Sequence, residues 1–332
     1  MFDDHRDVWV FLDSFRGEPK RVGVELLGAG RVLADSLGQR LAAVVIGEEV
    51  ERGVAAAREF GADIAYVVKG DSYREYSTDA FGDALVGLCE ENKPDTLLIG
   101  ATVNGRDLAS KVAVSLRTGL TADCTALSVE EDTGNVVWER PTFGGNLYAR
   151  ILCAESRPQM GTIRPGAFGL PCSRHNEEME VVEAVFPEKA SRTKIIDFVE
   201  EVCEGLSLEE APVVVSGGRG MRGPENFTLL EELADILGGT VGCSRAVVEA
   251  GWMPQARQVG QTGTTVSPEV YFACGISGAV QHVAGMEKSS IIVAINRDED
   301  APIFSVADYC LVGDVFEILP ALIEELRERQ GS

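Results

Sequence analysis

No two of the eight cysteines form a C-x-x-C pair, and none sits at zinc or iron–sulfur spacing with a histidine nearby. That excludes the common structural metal sites, and single cysteines scattered through apolar runs such as "YFACGIS" and "VADYCLV" are expected to be small core residues. The pattern suits a reducing cytoplasm. Long hydrophobic runs are missing too: no stretch of 18 apolar residues occurs, so no membrane insertion is expected. The opening "MFDDHRDVWVFLDSFRG" carries charges throughout and is not a signal peptide. Positive charge is scarce. With 30 Lys and Arg against 53 Asp and Glu, the net charge is −23, which excludes unspecific nucleic-acid binding and attachment to an anionic membrane. A P-loop sequence, a low-complexity tract and a short repeat are absent as well.

What remains is an ordinary globular composition, 45% apolar and 25% charged, in a chain long enough for two domains. The first part alternates strand and helix patterns. Strands are expected at 8–13, 41–47, 64–68 and 95–102, with helices at 25–38, 50–61, 79–93 and 107–119. Near-continuous β-branched runs between amphipathic helices imply a parallel sheet covered on both faces. Over 124–164 the period changes to short strands, "CTALSVEED", "NVVWERP", "NLYARILCA" and "QMGTIRPG", parted by turns such as "DTGN" and "FGGN". These predict antiparallel strands that extend the first sheet or form a small meander. The polar stretch 173–212 reads as the connection between domains, which are placed at 1–205 and 206–332.

The second domain opens with "APVVVSGGRGMRGPENFTLLEELADILGG", a strand, a glycine-rich turn and a helix. Gly218, Gly220 and Gly223 match G-x-G-x-x-G, whose glycines let the backbone approach a pyrophosphate favoured by the helix N-terminus. No ribose-binding acid follows at the distance an ordinary NAD site requires. Further on, "GCSRAVVEAG", "GQTGTTVSPEVYFACGISGAVQHVAG", "SSIIVAINRD" and "PIFSVADYCLVGD" each put glycines or polar residues at a strand end or helix start. In an open parallel sheet such positions gather along the carboxyl edge, where a long cofactor can lie. Three readings are open at this level. They are a flavin electron carrier, an NAD- or thiamine-cofactor enzyme of doubly wound architecture, and a non-catalytic adenine-nucleotide sensor.

The stretch 270–296, "VYFACGISGAVQHVAGMEKSSIIVAIN", with "GGRG", "SRAVVEAG", "GQTG" and "APIFSVADYCLVGD" in order, resembles the α subunit of electron transfer flavoproteins. "ELLGAGRVLADSLG" and "QMGTIRPGAF" extend the resemblance more loosely over the first domain. The resemblance implies an α/β fold of two domains: an N-terminal nucleotide-hydrolase-like parallel sheet with added antiparallel strands, and a C-terminal doubly wound FAD-binding domain. It also implies a heterodimer with a β subunit. Electrons would pass through an anionic flavin semiquinone, between acyl-CoA dehydrogenase-type or other flavin dehydrogenases and acceptors such as a quinone reductase, ferredoxin or flavodoxin. "GATVNGRD", "FGGNLYARILC" and "RPQMGTIRPG" are closer to the anaerobic and nitrogen-fixation-linked branch, some of whose members bifurcate electrons from NADH.

Carried over by motif, the resemblance places Arg219 on the phosphates or adenine side, Ser244 on the pyrophosphate and Arg245 on the isoalloxazine ring. Gln261 and Thr262 approach the flavin, with the Thr262 hydroxyl near N5. Gly275 and Gly278 shape the turn from which Ser277, Gln281 and His282 face the ribityl chain and the O2 edge. Asn296 and Asp314 hold the adenosine end. Arg245 also reads as a plain surface ion pair. His5 and His175 lie in charged segments and are expected to face solvent. Thr264 and Thr265 stand where many relatives carry a lysine. No nucleophile or acid–base pair is expected. Instead Arg245, His282 and a helix N-terminus would stabilise a reduced anionic flavin, about 1.4 kcal/mol of such preference corresponding to about 59 mV.

Overall fold

The computed structural model describes residues 4–142, 147–186, 195, 206–209 and 211–330. The chain divides into two compact units, 1–196 and 197–332. The expected domain boundary at 205/206 borders residues outside those described, as does the "FGGN" turn.

In the first unit β1 (Val8–Phe11) is followed by a short hairpin, β2 (Ser14–Phe15) and β3 (Glu18–Pro19), and by α1 (Arg21–Leu37). Then come β4 (Leu41–Gly47), α2 (Glu51–Glu59), β5 (Ile64–Lys69), α3 (Thr78–Asn92), β6 (Thr96–Gly100) and α4 (Val103–Leu116). Strands β7 (Leu120–Cys124), β8 (Ala126–Val129), β9 (Val136–Thr142), β10 (Leu147–Leu152), β11 (Gln159–Ile163) and β12 (Glu180–Glu183) complete it. Seven strands form a parallel sheet in the order β12-β5-β4-β1-β6-β11-β7. Alternation along the central strands feeds two cores. Val8, Val10, Ala43 and Val45 enter one, while Trp9, Phe11, Ala42, Val44 and Ile46 enter the other.

Two expectations fail here. The run 159–163 is not antiparallel: it pairs in parallel with β6 and β7, inside the main sheet. Only β8, β9 and β10 form the antiparallel meander. All four segments are short and turn-bounded, so their periodicity could not separate a meander strand from a crossover strand. Gly161 shows why a glycine sits in that buried strand, because a Cβ there would strike the Trp138 ring of the neighbouring meander. The stretch read as a connection also contains β12, which pairs in parallel with β5 at the sheet edge. Its sequence, Glu-Val-Val-Glu, is half acidic because an edge strand with one neighbour stays in water.

The second unit contains β13 (Val213–Gly217), α5 (Thr228–Leu237), β14 (Thr240–Cys243), α6 (Arg245–Glu249), β15 (Val270–Cys274), α7 (Val280–Val283), β16 (Ile291–Asn296), β17 (Tyr309–Val312) and α8 (Val315–Gln330). Its five strands are all parallel, in the order β14-β13-β15-β16-β17. One face is covered by α5 and α8 through Leu230, Leu233, Leu319 and Ile323 against Val215, Phe272 and Ile295. The other is covered by Val259, Val266, Met286 and Ile303 against Val214, Tyr271 and Ala294. Cys89, Cys124, Cys243 and Cys274 are buried as expected, whereas Cys310 of "VADYCLV" is exposed. It lies on β17, an edge strand whose four residues are all exposed. Among the described residues no helix is long and apolar enough to cross a membrane.

Candidate functional site

Numbered within the second unit, the strand order is 2-1-3-4-5, so the direction of chain progress reverses between β13 and β15. Loops leaving two such strands at their carboxyl ends diverge to opposite faces and leave a crevice, the usual ligand position in open α/β sheets. The loop after β13 is Gly218-Arg219-Gly220 and the loop after β15 is Gly275-Ile276-Ser277. They cross in direct backbone contact. Gly218 N–H donates to the Cys274 carbonyl at 2.9 Å and Gly220 N–H to the Gly275 carbonyl at 3.0 Å. A Cβ on Gly220 would lie 2.6 Å from Gly275 Cα, and Gly275 itself takes φ +61°. The G-x-G of the motif therefore serves first to let two loops touch.

Beside this crossing an open cleft of about 100 Å³ is lined by Arg219, Gly220, Arg222, Gly275, Asn296, Arg297, Gly313 and Asp314, with Val315. Four of the expected residues, Arg219, Gly275, Asn296 and Asp314, thus meet at one place. Arg222 and Arg297 were not singled out from sequence, since an isolated exposed arginine carries no pattern. Arg222 donates from Nη2 to Asp314 Oδ2 at 2.6 Å and lies over the Phe316 ring at 4.7 Å. The Phe316 N–H, with Arg222 and Arg297, holds the Asp314 carboxyl below its ordinary range. In a chain of net charge −23, three guanidinium groups around one carboxylate make a local cationic spot, suited to a phosphate-bearing ligand. Asn296 is held by its side chain, Nδ2 donating to the Ile276 carbonyl at 3.0 Å.

A second group forms where the "GQTG" turn meets the Gln-His turn. Gln261 N–H donates to the Gln281 carbonyl at 2.7 Å, and a Cβ on Gly260 would stand 2.9 Å from that same oxygen. Gln261, Thr262 and Gln281 are exposed, and His282 is buried at 6% exposure. Buried Gln258, also missed from sequence, donates from Nε2 to Thr262 Oγ1 at 3.0 Å and so fixes that hydroxyl. His282 Nε2 lies 2.9 Å from the Tyr271 hydroxyl, and Nδ1 has no hydrogen-bond partner. Burial pushes the imidazole down to about 4, and the Val259 backbone offsets this in part without completing a bond to Nδ1. A buried nitrogen left unpaired costs about 1–3 kcal/mol, so its retention fits an acceptor supplied from outside the chain.

Ser244 is tied to β13 by its N–H, 3.0 Å from the Gly217 carbonyl. Arg245 projects into solvent and pairs with Glu249 at 2.8 Å, as its plain surface reading anticipates. Ser277 is exposed, its carbonyl accepting from Ile303 N–H at 3.0 Å, while Gly278, at φ +88°, packs directly on the Ile303 backbone. The expected helix-terminus charge is weaker than supposed. The helix that follows the Ser277 turn is the four-residue α7, too short to build a macrodipole of about half a charge. The electrostatics of this end rest on individual donors instead.

A family model described as the electron transfer flavoprotein domain matches residues 8–189. A second, described as the electron transfer flavoprotein FAD-binding domain, matches residues 207–287. The chain is 48% identical to an electron transfer flavoprotein subunit alpha of Thermoanaerobacterium thermosaccharolyticum, over 98% of this chain and 99% of that one. It is 49% identical to a Protein FixB of Clostridium saccharobutylicum, over 98% and 97%. A Protein FixB of Rhizobium meliloti is 46% identical, over 99% and 95%.

Proposed function

We propose that this chain, which belongs to the electron transfer flavoprotein α-subunit family, pairs with a β subunit and carries electrons one at a time on FAD held by its second unit. FAD, when bound, supplies reversible electron uptake and release; the protein supplies place and electrostatics. The observation that carries the reading is the unpartnered Nδ1 of buried His282, set at the same carboxyl edge as the three-arginine cleft. Arg219, Arg222 and Arg297 would hold the phosphates, and Asn296 and Asp314 the adenosine. Ser244, Gln261, Ser277 and Gln281, with Gly275 and Gly278 as bare backbone, would line the path between the ends. At the ring, Thr262 would present its hydroxyl, oriented by Gln258, and His282 a neutral N–H donor. Arg245 would exchange Glu249 for the flavin, which is within reach because an exposed i,i+4 pair is worth only about 0.3–0.5 kcal/mol.

The test is stepwise reduction of the chain co-purified with its β partner, followed by absorbance, with the flavin counted. One FAD in this chain that passes through an anionic one-electron state supports the carrier. A colourless complex, or one that takes up NAD in place of FAD, overturns it. Dehydrogenase donors and a quinone reductase, ferredoxin or flavodoxin acceptor remain the partners proposed. Electron bifurcation from NADH is the extension that "GATVNGRD" and "RPQMGTIRPG" support, and two FADs per heterodimer, both reducible by NADH, would be its signature.

A further inference from the structure

Tyr271 is the second of the five residues of β15, with 0% exposure, and its hydroxyl completes one hydrogen bond, with His282 Nε2 at 2.9 Å. A phenol hydroxyl carries a single hydrogen, and a neutral imidazole carries its hydrogen on one nitrogen only. Two arrangements satisfy the 2.9 Å contact. In the first, Nε2–H donates to the phenol oxygen, which leaves the phenol hydrogen seeking another acceptor and Nδ1 bare. In the second, the phenol donates to Nε2 and the imidazole hydrogen sits on Nδ1. Ser216 Oγ lies near the phenol, and its hydroxyl can donate or accept, but it completes no hydrogen bond with any group. Among the described residues only Nε2 is within completed hydrogen-bond geometry of the phenol oxygen. The second arrangement leaves one donor, at Nδ1, with the Val259 backbone near the ring but no completed bond to that nitrogen; the first strands a buried phenol hydrogen as well as a bare nitrogen.

We propose that Tyr271 sets the tautomer of His282: its phenol donates to Nε2, so that Nδ1 carries the proton and donates toward the cofactor. Tyr271 is a positioning residue that never touches the flavin. The inference rests on the reading that His282 faces FAD. It adds that the donor is a neutral N–H whose direction is fixed from behind, from the face of β15 that also carries Val214 and Ala294 contacts. Such second partners fix ring orientation and proton position for histidines that serve ligands. Deepening negative charge on the cofactor would strengthen the Nδ1–H bond without any proton having to move.

The chain is labelled with ¹⁵N-histidine, combined with its unlabelled β partner, and observed with FAD bound and removed. Only three imidazoles contribute, and loss of a signal in His282→Asn assigns the third. Nε2 is expected at the unprotonated end of the shift range and Nδ1 at the protonated end, with the Nδ1 signal moving on FAD loading. Tyr271→Phe removes one oxygen from a buried ring. It is expected to let Nε2–H become populated and to weaken preferential binding of reduced over oxidised FAD about tenfold, a potential lower by about 59 mV. Wild-type His282 protonated on Nε2, or tautomer populations unchanged in Tyr271→Phe, overturns the proposal. An Nδ1–H signal that FAD loading does not move overturns the contact with FAD instead, even with the tautomer as stated, so the two failures are told apart. If Tyr271→Phe does not fold, the wild-type tautomer decides alone.

Discussion

At pH 7 His282 is uncharged in the folded chain, because burial pushes its imidazole from 6.5 to about 4. Between those values the unfolded chain binds a proton that the folded chain refuses, so this residue's contribution is complete above 6.5 and is lost as pH falls toward 4. Stability in denaturant is expected to drop by about 2 kcal/mol from pH 7 to pH 5 on this account, and the drop should shrink in His282→Gln. Equal drops in the two proteins would mean that the imidazole is solvated. Sequence singled out His282 because a Gly-rich turn delivers it, and that signal is local. Tyr271, Gln258, Arg222 and Arg297 were illegible for the opposite reason. Most matter through a residue distant along the chain, Tyr271 eleven positions from His282 and Arg222 ninety-two from Asp314, while Gln258 acts on Thr262 four positions on but carries no motif of its own.

Among elements, although α1 and α4 begin four residues earlier than expected and the β2–β3 hairpin was not foreseen, the main strands and helices of the first 120 residues were legible in place and type. β4, for example, spans Leu41–Gly47, the run expected, because a fully buried parallel strand must be apolar throughout. Legibility failed where burial is partial or pairing is remote, at β11 and β12. In the second unit the crossing of the β13 and β15 loops is the element on which the site depends. Gly275→Ala would place a side chain at φ +61° and a Cβ 2.8 Å from Gly220 Cα. The conformation alone costs about 1–3 kcal/mol, and the loops must also part. The expected outcome is a lowered unfolding midpoint together with loss of FAD, read by thermal melting and bound-flavin absorbance. A variant that melts like the wild type and retains FAD would show that the crossing tolerates separation.

For the whole molecule, each unit carries its own sheet with cores on both faces. Length and the change in composition near residue 200 anticipated two domains, as a chain of this size requires more than one core. Residues 206–332 expressed alone are expected to fold cooperatively, with coincident circular-dichroism and fluorescence transitions in denaturant. A broad, non-coincident transition would mean that this unit depends on the first. The open edge of its sheet bears on how such a fragment would behave. β17 exposes Tyr309 at 62%, Leu311 at 38% and Val312 at 57%, next to Ile291 on β16 at 39%. An uncovered apolar edge is a template on which another extended chain can continue the sheet. For the fragment this sets a race between folding and self-association: concentrated, unscreened preparations would be held apart by like charge, and added salt would shorten the reach of that repulsion to about 3 Å at 1 M and let edges meet. The same strand that closes the FAD-binding sheet thus makes ionic strength a variable in its shelf life.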